Sequence, residues 1–482
     1  MNVSDVVDWS SAGVPLLVAV GAIAALVVDA FWPAGGWRRS GTIAVASLVA
    51  AGAWLADSGS TGPVVAGFSW VILLSALAVV LLAQVLEDDA RMPAGESVFL
   101  MLSATAGALT LAAASDFVTL AVALELLSLP SIALVAMRRD QPAAVSSAWT
   151  FFLASATATA VTLMGLSLLY GLTGTLTYEG VLVGLQAERA PVRVVTAVVV
   201  LVLIGLVFKL GAVPFHLWIP DAYRGASVPV AAFLSVVSKG GALAALLVVL
   251  AYPFVALQSR WDLFVAVVAA LTMTVGNLGA LAQRDVVGML AWSSIAQSGF
   301  VLAPLVAVAV RTEDVLTAPL RYLAVYAIAN LTVFAVAAVG VRRFGGTSYA
   351  HYAGVARRDP LVGVALLMGL LALAGFPPAV IGLIAKYVVL QPVVTGGYGW
   401  LAAVMAVNVA LGLVYYLRLV VVAFAPAARA PEAEAEATGA ATRSAATRSG
   451  RGAAIAYAVV VAGLVVLVAT SVYPTLLLGP LP

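Results

Sequence analysis

Residues 208–239 read FKLGAVPFHLWIPDAYRGASVPVAAFLSVVSK, and this stretch decides the fold. It joins the end of one apolar run to most of the next, and each run contains a lysine, Lys209 or Lys239. Pro214 interrupts the first run three residues after Gly211, and proline removes a backbone donor and clashes with the preceding helical turn. The stretch therefore predicts a broken helix, followed by a second apolar helix, with a basic side chain inside each.

The rest of the chain has the composition of a membrane protein. Of its 482 residues, 63% are hydrophobic and 10% are charged, whereas a soluble domain has about 25% charged residues. Stretches long enough to cross about 30 Å of hydrocarbon form helices, because lipid offers the backbone no hydrogen bonds. The sequence predicts an all-α polytopic membrane protein with about fourteen transmembrane helices. They lie near residues 13–31, 41–56, 66–86, 97–113, 116–137, 147–172, 193–213, 228–251, 262–282, 286–309, 319–341, 360–392, 398–424 and 453–478.

Arginine is distributed unevenly between the predicted connections. The odd-numbered connections hold fifteen arginines and the even-numbered ones hold five. Because basic residues stay on the cytoplasmic side, this bias predicts a multi-pass protein of the cell inner membrane, with odd connections in the cytoplasm and both termini outside. Residues 426–452, rich in Ala, Glu, Arg, Thr and Ser, predict a disordered cytoplasmic linker; a partner-docking segment is the alternative.

Residue types that hold cofactors are scarce. The chain has no cysteine and two histidines, His216 and His351. Iron–sulfur ligation and attached c-type haem are thereby excluded, and no GxxxxGK[ST] loop for ATP is present. We predict no cofactor and no metal on this chain, and a driving force that comes from an ion gradient or from partner subunits.

A second apolar segment is also interrupted. The sequence Gly375-Phe-Pro-Pro lies in the middle of the twelfth segment, so Pro377 and Pro378 join Pro214 as predicted helix breaks. Two broken helices five segments apart are typical of transporters built from inverted repeats, in which the breaks line a site near the middle of the bilayer. The alternative is a pair of proline kinks without a role in transport.

All three lysines of the chain lie inside predicted helices. Lys209 is in the seventh, Lys239 in the eighth and Lys386 in the twelfth, whereas twenty of the twenty-one arginines lie in connections. Glu125 is the one acid well inside a span. Each such charge costs about 2.5–3.5 kcal/mol at a helix centre, so four cost on the order of 10 kcal/mol.

These four residues are the candidates for proton transfer. A desolvated lysine can lose its proton near neutral pH, and arginine cannot. The alternative is a static Lys–Glu pair that holds helices together, although one carboxylate does not neutralise three lysines. His216, which follows the first break, is either a proton relay or a cap of the broken helix.

The stretch from Phe208 to Lys239 closely resembles the central signature of the antiporter-like membrane subunits of respiratory complex I. Three further blocks resemble the family in the same order: ELLSLP from Glu125, MLAWSSIAQSGF from Met289 and LAGFPP from Leu373. The resemblance covers roughly residues 95–425. Within the family, the ELLSLP and AVPFHLW blocks are most similar to subunit N of NADH-quinone oxidoreductase.

The resemblance implies a role for each charged residue. Glu125 matches the glutamate that pairs with the first-half lysine, Lys209. Lys239 matches the lysine that leads to a central hydrophilic axis, and Lys386 matches the exit-side lysine of the second half. Family members have two inverted five-helix repeats. The implied division is therefore helices 1–3 (1–94), the first repeat (95–254), the second repeat (255–425), the linker (426–452) and a last helix (453–482).

The resemblance also implies partners and a function. The expected partners are the lipid bilayer and the other membrane subunits of complex I, namely the antiporter-like subunit M and the small subunits J and K, with no nucleic acid. Quinone, FMN and iron–sulfur clusters are expected in partner subunits. The predicted function is a non-redox, proton-translocating subunit of NADH-quinone oxidoreductase. The alternatives are a subunit of a multisubunit sodium/proton antiporter or membrane-bound hydrogenase, or a scaffold that no longer pumps.

Three positions depart from the family pattern. Ser146 and Thr150 stand where many relatives have a glutamate and a lysine at the start of helix six, and Gln297 stands where a histidine is common in helix ten. These replacements predict an altered entry path for protons.

Overall fold

The computed structural model describes residues 9–32, 36–59, 62–84, 92–138, 141–187, 191–310, 313–426 and 450–479. Within these ranges the chain is helical, apart from short connections and two isolated β-bridges. Residues Val255–Leu257 and Ala303–Val310 are 3-10 helices, and Gly340–Phe344 is a π-helix. The α-helices are α1 (Trp9–Phe31), α2 (Gly36–Ser58), α3 (Pro63–Ala83), α4 (Ala94–Ala112), α5 (Phe117–Ala136), α6 (Pro142–Thr173), α7 (Tyr178–Ala187), α8 (Val192–Leu210), α9 (Trp218–Gly225), α10 (Val228–Ala251), α11 (Gln258–Leu281), α12 (Val286–Leu302), α13 (Glu313–Val339), α14 (Tyr349–Tyr352), α15 (Val355–Arg358), α16 (Pro360–Ala374), α17 (Val380–Thr395), α18 (Gly399–Phe424), α19 (Gly450–Val472) and α20 (Thr475–Leu478).

The prediction of about fourteen membrane-spanning segments is confirmed. Thirteen helices of the described part are long and apolar enough to cross a membrane. Helices α16 and α17 have 15 and 16 residues, or about 22 and 24 Å at 1.5 Å per residue, so each is shorter than the hydrocarbon layer of about 30 Å. Together they form the predicted twelfth segment, broken in the middle.

The predicted boundaries at 426 and 452 delimit a linker of which the structure describes only the two ends. Most of the predicted linker 426–452 lies outside the described residues. Helix α19 begins at Gly450, so the last helix starts three residues before the predicted position. The division at 254/255 falls in the turn between α10 and the 3-10 helix that follows it. The five domain boundaries stay a prediction.

Helices α10, α12 and α13 form the centre of the molecule, and nearly all their side chains are buried. Small residues let them pack closely, as is usual between membrane helices. A Cβ on Gly241 of α10 would come within 2.8 Å of the Ala108 backbone of α4. Helices α1, α6, α18 and α19 surround this centre and expose most of their surface. Lys239 therefore lies on the most enclosed helix.

The same local feature begins α5 and α12. Asp116 caps α5 by accepting from the Val118 and Thr119 amides at 2.9 and 2.8 Å. Asp285 caps α12 by accepting from the Gly288 amide at 2.6 Å. A β-bridge joins each aspartate to a later connection, to Thr177 and to Ser348 respectively. These caps satisfy amides that a helix start leaves unpaired and support an internal repeat.

Both predicted helix breaks occur. Gly211 (φ +71°) directly follows the last residue of α8, and Gly375 (φ +75°) directly follows the last residue of α16. The left-handed conformation lets the amide after each glycine bond back to a carbonyl of the last turn: Ala212 to Val207 at 3.1 Å, and Phe376 to Leu371 at 2.9 Å. This arrangement is a common helix stop, and it favours glycine because other residues are strained there.

The prolines that were predicted to break the two helices come shortly after these glycine stops. The Val213–Pro214 and Pro377–Pro378 peptide bonds are both cis. After the first break the chain continues into the short helix α9, and after the second into α17. The last residues of α8 and α16, Leu210 and Ala374, are both buried, so each helix ends inside the protein.

We expect Gly211→Ala to lower the free energy of unfolding by about 1–2 kcal/mol, the cost of a left-handed conformation for a residue with a Cβ. The added methyl would also lie 1.9 Å from Cδ1 of Ile219 unless that side chain moved. The measurement is denaturant or thermal unfolding of the purified chain in detergent.

Gly171→Ala is the matched control. Gly171 is exposed on α6, and a Cβ added there would have no atom within 4 Å, so alanine at this position should be neutral or stabilise the helix by up to about 1 kcal/mol. Equal stability of the two variants would contradict this account of the break.

Candidate functional site

Lys209 lies in the last turn of α8 and is 1% exposed. Its ammonium donates to Ser128 Oγ of α5 at 3.0 Å, and Nζ lies 5.3 Å from the centre of the Phe151 ring. An aromatic face at this distance attracts a cation. Ser128 in turn donates to the Leu124 carbonyl at 2.6 Å. The ammonium thus has one hydroxyl and one ring as neighbours in an otherwise apolar site.

Glu125 lies one turn before Ser128 on α5 and is half-buried. Its Oε1 accepts a hydrogen bond of 2.5 Å from Thr159 of α6. It makes no ion pair with Lys209 within 4.0 Å, but Ser128, three residues further along α5, accepts from that lysine. The structure therefore places the predicted partners near each other without bringing them into contact, and their pairing stays a prediction.

Lys239 lies in the middle of α10 and is 3% exposed. Its ammonium donates to the Ser294 carbonyl at 2.6 Å and to Ser298 Oγ at 2.8 Å, both on α12. The Ser298 hydroxyl donates in turn to the Leu210 carbonyl at 2.8 Å. Because Leu210 is the last residue of α8, one serine links Lys239 to the first helix break.

Lys386 lies on α17, beyond the second break, and reaches back across it. Its ammonium donates to the carbonyl of Ala374, the last residue of α16, at 2.6 Å, and Nζ lies 5.0 Å from the centre of the Phe300 ring. The side chain also passes over Gly375, where a Cβ would lie 2.7 Å from Lys386 Cδ. The absence of a side chain at Gly375 therefore makes room for the lysine.

The three lysines share one electrostatic environment. The last carbonyls of a helix have no partner within the helix, and the helix dipole is negative at that end. Lys209 is in the last turn of α8, the Lys386 ammonium donates to the last carbonyl of α16, and Lys239 is linked to the last carbonyl of α8 through Ser298. Broken helices in transporters provide such ends near the middle of the membrane for cations. The two breaks thus place negative helix ends close to three buried lysines that have no contacting carboxylate.

Gln297 of α12 connects the second break to the centre of the molecule. Its Nε2 donates to the Leu373 carbonyl at 3.2 Å and to Tyr416 Oη at 3.1 Å. Its Oε1 accepts from the Tyr322 hydroxyl. The sequence predicted an altered proton path at this position, but the glutamine keeps a polar group between α12 and α16.

Two small cavities lie on either side of Gln297. The first is lined by Lys239, Ser298 and Tyr326, the second by Leu373 and Tyr326, and Gln297 lines both. Each has a volume of about 10 Å³, which is room for about one water molecule. Polar side chains and two small cavities therefore lie between Lys239 and the last turn of α16.

Sequence reasoning missed most of the groups that contact the lysines. Ser128, Ser294 and Ser298 are buried hydroxyl residues, and the tyrosines around Gln297 lie within spans. A polar residue in an apolar helix is a usable signal, as the asparagines show: Asn277 donates to the carbonyl and Oδ1 of Asn408, both at 2.9 Å. Hydrogen bonds between α11 and α18 are thus made by two such residues.

Within the ranges that the structure describes, the other residues singled out in the sequence make no hydrogen bond to the three lysines. Ser146 and Thr150 are on the exposed face of α6, so their replacement changes a surface of the chain and not the contacts of the lysines. His216 is buried in the turn after the first break, its ring centre 5.8 Å from that of Trp292. Its Nδ1 has no hydrogen-bond partner among the described residues. The role of His216 as a relay stays a prediction.

Residues 114–412 match the family described as NADH:quinone oxidoreductase/Mrp antiporter, TM. NADH-quinone oxidoreductase subunit N 2 of Streptomyces griseus is 42% identical over 443 residues, which cover 87% of this chain and 83% of that protein.

Two solved structures share the fold over nearly their full length. A chain in respiratory complex I from Thermus thermophilus with bound aureothin has a TM-score of 0.75 and 28% identity, covering 96% of this chain and 98% of that one. A chain in the Mrp complex from Dietzia sp. has a TM-score of 0.78 and 25% identity, covering 98% and 96%. The chain therefore belongs to the NADH:quinone oxidoreductase/Mrp antiporter family of membrane proteins, as the signature at residues 208–239 predicted.

Proposed function

We propose that this chain is the proton-translocating subunit N of an NADH-quinone oxidoreductase. Its similarity to subunit N 2 of Streptomyces griseus extends over most of both chains. The observation that carries the proposal is the row of three buried lysines, Lys209, Lys239 and Lys386, beside two broken helices. A row of this kind is costly in a membrane and provides successive sites for a proton.

The first step of the proposed path involves Lys209 and Glu125. Ser128, which accepts from Lys209, and Glu125 are three residues apart on α5, so they face the same side of the helix. A small movement of the lysine would exchange the hydroxyl for the carboxylate. Contact with a carboxylate favours the charged lysine, and its loss in apolar surroundings favours release of the proton.

The later steps run through α12. Lys239 accepts the proton released by Lys209 after Lys239 has passed on its own proton, and Ser298 connects Lys239 to the Leu210 carbonyl at the end of α8, one residue after Lys209. From Lys239 the proton crosses to Lys386 on water in the two cavities beside Gln297. Gln297 does not titrate; its amide orients the water and the neighbouring hydroxyl groups.

The proposed partners supply the driving reaction. With no cysteine in the chain, iron–sulfur clusters would be held by other subunits, as would FMN and quinone. The antiporter-like subunit M and the small subunits J and K are the proposed membrane neighbours. The arginine bias supports a location in the cell inner membrane with both termini outside.

A subunit of a sodium/proton antiporter is the second candidate. The Dietzia Mrp chain fits this fold with a TM-score of 0.78, so the fold alone does not separate the two functions. Sequence identity favours subunit N, because it is 42% to the subunit N relative and 25% to the Mrp chain. Proton pumping driven by NADH in the absence of sodium would support subunit N.

We expect Lys239→Met to abolish proton pumping in the reconstituted complex. Methionine has a similar length and fills the same space, but it has no proton to transfer and no hydrogen bond for Ser298. The measurement is the acidification of liposomes during NADH oxidation, normalised to the amount of assembled complex. NADH oxidation by an artificial acceptor should persist, because it does not require the membrane arm.

Arg193→Met is the matched control for the loss of one positive charge. Arg193 is exposed in the first turn of α8, at the end opposite the break, so pumping should be unchanged. Normal pumping by an assembled Lys239→Met complex would show that the chain is a scaffold.

Lys386→Arg separates charge from proton transfer. Arginine keeps the positive charge and a donor for the Ala374 carbonyl, but it does not release a proton at accessible pH. We expect the complex to assemble and the pumped protons per NADH to fall. If the lysine only neutralises the end of α16, the ratio in this variant will equal that of the wild type.

We expect Gln297→Leu to lower both stability and pumping. It removes the present partner of the Leu373 carbonyl and of the Tyr322 hydroxyl, while the Tyr416 hydroxyl keeps Ser293; the cost is about 1–3 kcal/mol for each group that stays unsatisfied. Gln391→Leu, at a half-buried position of α17, is the control. Thermal unfolding and liposome acidification of the two variants should differ, and identical results would contradict the proposed role of Gln297.

A further inference from the structure

A pocket of about 270 Å³ lies at one end of the helix bundle, away from the cavities beside Gln297. Four connections meet there, and each is odd-numbered in the predicted topology: the fifth, seventh, ninth and eleventh. By the arginine bias this end is cytoplasmic. The polar residues that line the pocket are Arg138, Tyr223, Arg224, Ser227, Asp285 and Thr347.

The pocket carries more positive than negative charge. Two arginines and one aspartate line it. Arg224 forms an ion pair with Asp285 at 3.3 Å and also donates to Gln283, so the aspartate is neutralised within the protein. Arg138 supplies the remaining charge, and its Nε is buried with no hydrogen-bond partner among the described residues. A buried guanidinium nitrogen without a partner is costly.

Ser227 is a second unpartnered group in the same pocket. The residue is 6% exposed, and its Oγ has no hydrogen-bond partner in the described part of the chain. Ser227 is the residue before α10 and does not cap that helix with its side chain. Ser227, Val228 and Pro229 all line the pocket, so the positive dipole end of this 24-residue helix lies at it.

We propose that this pocket binds the phosphate group of an anionic phospholipid. Arginine, a hydroxyl and a helix amino terminus are the groups that bind phosphate in proteins. The pocket lies where spans end at the membrane surface, as Val228 and Ala338 in its wall belong to α10 and α13. Basic pockets between membrane helices on the cytoplasmic side bind acidic headgroups. A bilayer lipid is therefore the occupant that this position favours.

The site is joined to the lysine row by two hydrogen bonds. Tyr223 forms part of the pocket wall, and its hydroxyl lies 3.2 Å from Ser294 Oγ. The Ser294 carbonyl accepts from Lys239. A bound headgroup would thus hold α9 and α10 in the arrangement seen around Lys239, although binding itself does not depend on proton translocation.

Native mass spectrometry of the full chain released from nanodiscs tests the proposal. Nanodiscs of phosphatidylcholine containing phosphatidylglycerol should yield wild-type chain with one retained phosphatidylglycerol. Ser227→Ala and Arg138→Gln should each weaken retention roughly tenfold or more, the effect of losing a hydrogen bond to a charged group. Arg193→Gln, which removes a remote exposed arginine, should retain the lipid, and thermal unfolding identifies any variant that fails to fold.

Two results would overturn the assignment to a lipid. One is equal retention of phosphatidylglycerol by the wild type and by folded Ser227→Ala. The other comes from inorganic phosphate added to wild type in pure phosphatidylcholine nanodiscs: saturable binding that Ser227→Ala abolishes, together with displacement of phosphatidylglycerol, would assign the pocket to free phosphate. Lipid retention that inorganic phosphate does not displace would support the proposal.

Discussion

Two helices of this protein end inside the membrane domain, and their unpaired carbonyl groups impose the constraint on which the site depends. In lipid each unsatisfied backbone group costs several kcal/mol, so the ends of α8 and α16 must find donors within the protein. Ser298 and Trp218 donate to the end of α8, and Gln297 and Lys386 donate to the end of α16. The breaks therefore bring polar and positive groups to the centre, where the carbonyls at the ends of α8 and α16 accept from them.

The same constraint explains how lysine can remain buried here without a contacting carboxylate. The negative end of a helix dipole and the face of a phenylalanine ring each stabilise a cation partially. Partial stabilisation suits a residue that must both hold and release a proton, because a tight ion pair would keep the lysine charged. Glu125, near Lys209 but bonded to Thr159, is placed to change this balance with a small movement.

Sequence reasoning reached the fold and the charged residues because both depend on local patterns. Glycine followed by proline predicts a break wherever it occurs, and a lysine within an apolar run is visible without a structure. The groups around the lysines were not predictable in this way: Ser128 is 81 residues before Lys209, and Ser294 is 55 residues after Lys239. Those contacts depend on which helices pack together. For Gln297, comparison with the family indicated a loss, whereas its hydrogen bonds show a replacement that keeps the position polar.

Chains of complex I and of an Mrp antiporter complex share this fold. What distinguishes the proposed function is therefore proton transfer along the row of buried lysines, and not the architecture. The most direct test is a high-resolution structure of the intact complex in lipid, with ordered water resolved. The account predicts water in both cavities beside Gln297, within hydrogen-bond distance of Lys239 and Tyr326 and continuing to the end of α16. Two dry cavities, with Lys239 and Lys386 separated by apolar contacts, would contradict it.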